Sequence, residues 1–141
     1  MSSSLPVVIA VVVAALAVAF VVGRLLTRRD GVLRSTEADS SGAALPDLGL
    51  TAGKPAIVHF SADWCGPCAG VRRVVDDVCA QLPEVEHVEI DMDANPAAAR
   101  QLSVLSLPTT FIFDGDGRQR YRSSGVPKAA DLRSALEPLL A

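Results

Sequence analysis

An α/β domain carried behind one transmembrane helix is what this sequence of 141 residues predicts, the domain being a central mixed sheet flanked by helices in the order β-α-β-α-β-β-α. Three observations predict it. Charge is absent from Met1 to Gly23, where Leu5 to Val22 forms an unbroken apolar run of 18 residues. Beyond residue 55, short runs with β-branched residues alternate with stretches whose apolar side chains recur every three to four positions. Between two of the short runs stands Asp114-Gly115-Asp116-Gly117, a hairpin signal that adds an antiparallel edge to the strand–helix–strand units.

At 1.5 Å per residue the apolar run spans roughly 27 Å, close to the ~30 Å hydrocarbon core of a bilayer. Pro6 is tolerated in the first turn of such a helix. No basic residue precedes the run, whereas Arg24, Arg28, Arg29 and Arg34 follow it. A cleaved signal peptide shows the opposite charge order. Residues 1–26 are therefore expected to be an uncleaved anchor that meets lipid through residues 5–22. The arginines place the following chain on the cytoplasmic side. Residues 27–44 are small, polar and weakly patterned, as a tether would be, and residues 45–141 form the domain.

Within the domain, Ala56 to Ser61 suits a strand covered on both faces. A helix is expected over Cys65 to Leu82, with Val71, Val74, Val75, Val78 and Leu82 on its apolar side and Pro83 ending it. Val85 to Met92 is a strand, and Asn95-Pro96 carries the cap-plus-proline signature of a helix start. Thr109–Phe113 and Arg118–Ser123 are the hairpin strands. The last helix begins near Pro127, turns Leu132 and Leu136 inward, and is expected to fray at Pro138. Residues 45–141 hold nine basic and thirteen acidic side chains, a balance that offers nucleic acid no electrostatic foothold.

Three cysteines, an odd number, make no disulfide framework. Cys65 and Cys68 sit where a strand hands over to a helix. Unpaired N–H groups and the helix dipole favour a thiolate there. A second thiol one turn away can resolve a mixed disulfide made by the first. Gly66 permits the tight backbone between them, and Pro67 pre-sets helical φ. A closed zinc site wants four ligands, and one CxxC supplies two. Cys79, 11 residues beyond Cys68, would lie about 16 Å away along a straight helix, so no metal site is expected. A redox couple is favoured over a purely structural clip.

Trp64-Cys65-Gly66-Pro67-Cys68 resembles the active-site motif of the thioredoxin family. Leu107-Pro108-Thr109-Thr110 is similar to the family's loop with a cis-proline beside the sulfurs. Val88-Glu89-Ile90-Asp91-Met92-Asp93-Ala94-Asn95-Pro96 resembles its central strand and following helix start, and Gly125 matches a glycine of its substrate groove. The resemblance covers about residues 54 to 140 and implies a thioredoxin-like fold. It further implies that Cys65 is the nucleophile and Cys68 the resolving thiol. Trp64, Gly66, Pro67, Leu107, Pro108, Thr109 and Gly125 would line the substrate groove, with the backbone of residue 107 offered to an extended peptide.

Two departures stand out. Family members carry a further strand and helix at the start, and Leu45 to Gly53 is too short for both; the first element is truncated or assembled from tether residues such as Gly31-Val32-Leu33. His59, six residues before Cys65, stands where many members have a buried Asp, and Glu89 stands where a Lys is common. The pair can be an acid–base couple with its signs exchanged, His59 as base and Glu89 as orienting carboxylate. It can equally be a packed core histidine. Cys79 is expected to be buried and inert, Arg72 and Arg73 to be solvated, and His87 receives no role.

The expected function is a membrane-anchored oxidoreductase that reduces protein disulfides through Cys65/Cys68. A thioredoxin reductase or another dithiol carrier would supply electrons, with no bound cofactor. The alternatives are an outward-facing oxidoreductase of cytochrome maturation or disulfide repair, and a redox-inert peptide-binding module at the membrane.

Overall fold

The computed structural model describes residues 4–28, 30–36 and 48–141. Contacts divide the chain into one unit up to Asp30 and another from Gly31 to Ala141. In the first, α1 (Ser4–Thr27) is 24 residues long with no buried side chain. Length and composition alone qualify it to cross a bilayer, as they would a signal sequence.

The second unit is built on five strands: β1 (Arg34–Ser35), β2 (Ala56–Ser61), β3 (Glu86–Asp91), β4 (Thr109–Phe113) and β5 (Gln119–Ser124). Their order across the sheet is β1-β5-β4-β2-β3. β2 runs parallel to β3 and antiparallel to β4. The parallel pair needs a crossover, and α2 (Cys68–Gln81) supplies it. All six residues of β2 are buried, as a central strand between two layers requires. Ala56, Val58 and Phe60 join Phe111 and Phe113 in a core closed by Ala99 of α3 (Pro96–Gln101) and by Leu102. Ile57 points the other way, into a core with Val71, Val75 and Val78 of α2 and Leu132 and Leu136 of α4 (Ala129–Leu140). By the two-residue period of a strand, His59 and Ser61 share that α2 side.

The hairpin forms where expected. Asp114 Oδ1 accepts the N–H groups of Asp116 and Arg118, and Gly117 takes φ +79°. Pro138 does not fray the last helix, which runs through to Leu140. A proline in the final turn removes only one hydrogen bond, so packing of Leu136, Leu139 and Leu140 holds the helix together.

The tether expected over 27–44 is corrected at its start. Gly31 N–H donates to Ser124 O, Leu33 packs on the α2–α4 core, and Arg34 and Ser35 pair with Arg122 and Tyr121. Tether residues thus supply a strand, on the β5 edge; residues 37–44 lie outside the described residues. Gly31 is held at φ +79°, and a Cβ there would meet Val126 O at 2.2 Å. Gly31→Ala is expected to lift this strap and cost about 1–3 kcal/mol in urea unfolding.

Candidate active site

β2 and β3 are parallel and end together, so whatever follows Ser61 and Asp91 is delivered to one end of the sheet. There the chain turns through Ala62–Pro67, tied by the Cys65 N–H to the Ala62 carbonyl at 3.0 Å. Cys65 and Cys68 are joined, with S–S 2.03 Å and Cα–Cα 5.5 Å. The helix expected from Cys65 begins instead at Cys68. Pro67 has helical φ and its carbonyl accepts the first helical bonds, from Gly70 and Val71, so Cys65 stands just ahead of the helix N-terminus. That position faces the first unpaired N–H groups of α2, where a developing thiolate is stabilised. The two sulfurs are not equivalent. Cys65 is partly exposed, while Cys68 is 2% exposed and lies 3.9 Å from the Phe60 carbonyl.

Strand register gathers the other expected residues at the same end. Phe60 pairs with Thr109, and Thr109 with Ser124. Pro108 and Gly125 come next on their strands and meet through Gly125 N–H to Pro108 O, 3.0 Å. The Leu107–Pro108 peptide is cis, as the motif implied. Leu107 is half-buried, and Thr109 is buried with its hydroxyl donating to Ser106 O. Trp64 is 67% exposed and its indole N–H is pinned to Asp93 at 3.0 Å. A cleft of about 610 Å³ opens beside the disulfide, walled by Ser61, Asp63, Cys65, Gly66, Arg72 and Glu89 among others.

Beneath this cleft lies a polar layer that the sequence only half disclosed. His59 is fully buried. Burial pushes its imidazole down from 6.5 to about 4, against the lifting effect of the nearby Glu89 charge. Glu89 does not make the orienting hydrogen bond expected of it: its Oε1 is 3.6 Å from His59 Nε2. Arg72 takes both its oxygens, and the Ser61 hydroxyl donates to Oε1 at 2.8 Å. That bond to Arg72, more than the one to Ser61, draws the carboxyl from 4.5 down to about 2. Arg72 is thus no simple solvated arginine. His59 finds its partner in His87, whose Nε2 lies 3.0 Å from His59 Nδ1, and His87 Nδ1 lies 3.0 Å from Asp76 Oδ1.

Sequence reasoning missed Arg72, Asp76 and His87, yet a signal was there. Positions 72 and 76 are about one helical turn apart, about 6 Å, and positions 87 and 89 are one strand period apart, a similar span of about 6.6 Å. A helix laid along a parallel strand matches those two spacings, giving paired rungs Arg72–Glu89 and Asp76–His87. Cys79, expected buried, is half-buried and free, and burial raises its thiol pKa. Among the described residues no group of three or more His, Cys, Asp or Glu could hold a metal.

A partly exposed cysteine joined to a buried one at a helix N-terminus, on a mixed α/β sheet, defines a thiol–disulfide oxidoreductase. The Thioredoxin family model matches residues 48–138. A thioredoxin of Mycolicibacterium smegmatis is 40% identical over 94 residues, covering 64% of this chain and 83% of its own. The crystallographic Fasciola hepatica thioredoxin superposes with a TM-score of 0.55 at 34% identity, over 62% of this chain and 82% of that one. A bifunctional thioredoxin reductase/thioredoxin of Mycobacterium leprae is 36% identical over 85 residues, 60% of this chain and 19% of that protein. The chain belongs to the thioredoxin family.

Proposed function

We propose that this protein is a membrane-anchored reductase of protein disulfides, held by α1 with its catalytic domain facing the cytoplasm. The observation that carries the chemistry is the asymmetric pair: Cys65 lines the cleft and is partly exposed, and Cys68 is buried behind it. An incoming disulfide meets Cys65 alone. Its thiolate attacks, one substrate sulfur leaves, and a mixed disulfide forms. Cys68 then gives up its proton and attacks Cys65, releasing the second substrate sulfur and leaving the closed pair. Trp64, Leu107, Pro108, Thr109 and Gly125 form the platform on which an extended substrate backbone lies. A dithiol donor reopens the pair; the fused reductase of the Mycobacterium leprae relative supports a thioredoxin reductase in that role.

The proton from Cys68 goes to His59 by way of the cleft wall. His59 is neutral at neutral pH, with Nε2 unpartnered among the described residues. Glu89 stabilises the imidazolium that forms, at 3.6 Å, instead of fixing its tautomer.

The test is NADPH-driven reduction of a model protein disulfide by the full chain with a thioredoxin reductase, alongside its reduction potential. A potential in the range of thioredoxins, about −270 mV, supports a reductase; one near −120 mV would place the protein among the oxidants instead. Orientation is tested separately. External protease on intact cells is expected to leave the domain whole, and its digestion from outside would reverse the topology.

A further inference from the structure

Asp76, His87 and His59 form one hydrogen-bonded line from the surface to the buried side of the cleft wall. The protonation pattern along it follows from donor and acceptor chemistry alone. A carboxylate only accepts, so His87 Nδ1, 3.0 Å from Asp76 Oδ1, carries a proton. In a neutral ring His87 Nε2 is then the acceptor, and the nitrogen 3.0 Å from it, His59 Nδ1, must be the donor. His59 Nε2 is left as a bare lone pair. That atom is buried and unpartnered among the described residues, and it lies 3.6 Å from Glu89 Oε1, which walls the cleft. The opposite tautomers would set the lone pair of His87 Nδ1 against a carboxylate oxygen at 3.0 Å, closer than the 3.6 Å between His59 Nε2 and Glu89 Oε1.

We propose that Asp76 and His87 are positioning residues that hold His59 in the tautomer with Nε2 bare, ready to take the proton released by Cys68. The proposal rests on the reading of the site above and deepens it. In the resolving step the Cys68 S–H proton passes to His59 Nε2. The freed electron pair on Cys68 makes the Cys68–Cys65 bond as the bond from Cys65 to substrate breaks, and the substrate sulfur departs with that bond's pair. The imidazolium then gives the Nε2 proton up past Glu89 to solvent in the cleft, so both histidines keep their Nδ1 protons and their tautomers. When a donor dithiol reopens the pair, Cys68 regains a proton by the reverse path, from solvent in the cleft through His59 Nε2. One proton travels out and one back in each cycle.

The surroundings fit that role. The charged and titratable groups turned toward His59 are Arg72 and Asp76 of α2, with the Cys79 thiol beside Asp76, and His87 and Glu89 of β3. Across β2, the register partner of His59 is Thr110 and that of Thr110 is Ser123, whose hydroxyls are also buried and unpartnered among the described residues. From α4 this layer receives apolar Leu132 and Leu136. Arg72 is committed to Glu89, so the hydrogen bond that orients His59 is the one to His87. An imidazole that burial keeps weakly basic holds a proton only briefly and hands it on.

The test joins a structural and a kinetic readout on the full chain in detergent micelles. Nitrogen-15 spectra at pH 7.5 are expected to show His59 and His87 both protonated at Nδ1. Asp76→Lys presents only donors to His87 Nδ1 and is expected to invert both tautomers. Resolution of a mixed disulfide should then slow at least tenfold, while attack by Cys65 on substrate keeps its rate; Asp76→Glu should restore both readouts. His59 protonated at Nε2 in the wild type would overturn the proposal, as would an Asp76→Lys protein with unchanged tautomers and an unchanged resolution rate. Asp76 is exposed, so the variant is expected to fold. Absence of any disulfide turnover in the wild type would sink the functional reading, while the spectra would still decide the hydrogen-bonded line.

Discussion

Cys68→Ser is expected to turn the protein from a catalyst into a trap, with turnover reduced about a thousandfold or more while the first exchange survives. The reason lies in the asymmetry of the pair. Cys65 borders the cleft ahead of the helix N-terminus, so its sulfur is reachable and its anion favoured. Cys68 is 2% exposed and packed against the Phe60 carbonyl, so it meets no substrate, only Cys65. Without it the mixed disulfide has no internal exit, and an adduct through Cys65 should accumulate on non-reducing gels and in intact-protein mass spectra. Cys65→Ser, by contrast, should form no adduct and show no turnover. Cys79 cannot substitute, since it lies on the same helix about 16 Å from Cys68. Equal adduct yields from the two variants would refute the assignment of nucleophile and resolving thiol.

The site was legible in the sequence to the extent that its parts are set by backbone. WCGPC marks a strand-to-helix turn, Leu107-Pro108-Thr109-Thr110 marks the start of β4, and strand register then carries Pro108 and Gly125 to the cysteines. The β-α-β-α-β-β-α order was legible for the same reason: period and turn residues are local. What escaped was contact across elements. Nothing local says that Arg72 reaches Glu89 before His59 can, because that depends on how α2 lies along β3. Nor could polar composition at residues 31–36 show that Gly31 and Leu33 would dock, since the docking is made by a single positive-φ turn and the open flank of β5. The start of α2 was missed by three residues because Pro67 carries helical dihedrals without making Cys65 helical.

The folded unit is expected to lose roughly 3 kcal/mol of stability between pH 7 and pH 4 on account of His59 alone, out of a typical total of about 5–15 kcal/mol. Burial lowers its imidazole from 6.5 to about 4, so between those values the unfolded chain binds a proton that the folded chain refuses. Stability therefore falls as pH drops below 6.5, and this loss is complete near pH 4. Glu89 acts in the same direction lower down. Its carboxyl is held from 4.5 to about 2 by Arg72, so the stability it contributes above 4.5 is lost as pH falls through 2. Urea unfolding of the oxidised protein at pH 7.5, 5.5 and 4 measures the slope, and His59→Leu isolates its cause. The leucine variant should fall far less steeply between pH 6.5 and 4, whatever its stability at pH 7.5. An unchanged slope would assign the acid sensitivity to other groups. It would also remove the buried neutral imidazole on which the proposed proton path depends, because the low affinity of His59 for a proton in the resting fold is what lets it pass one on.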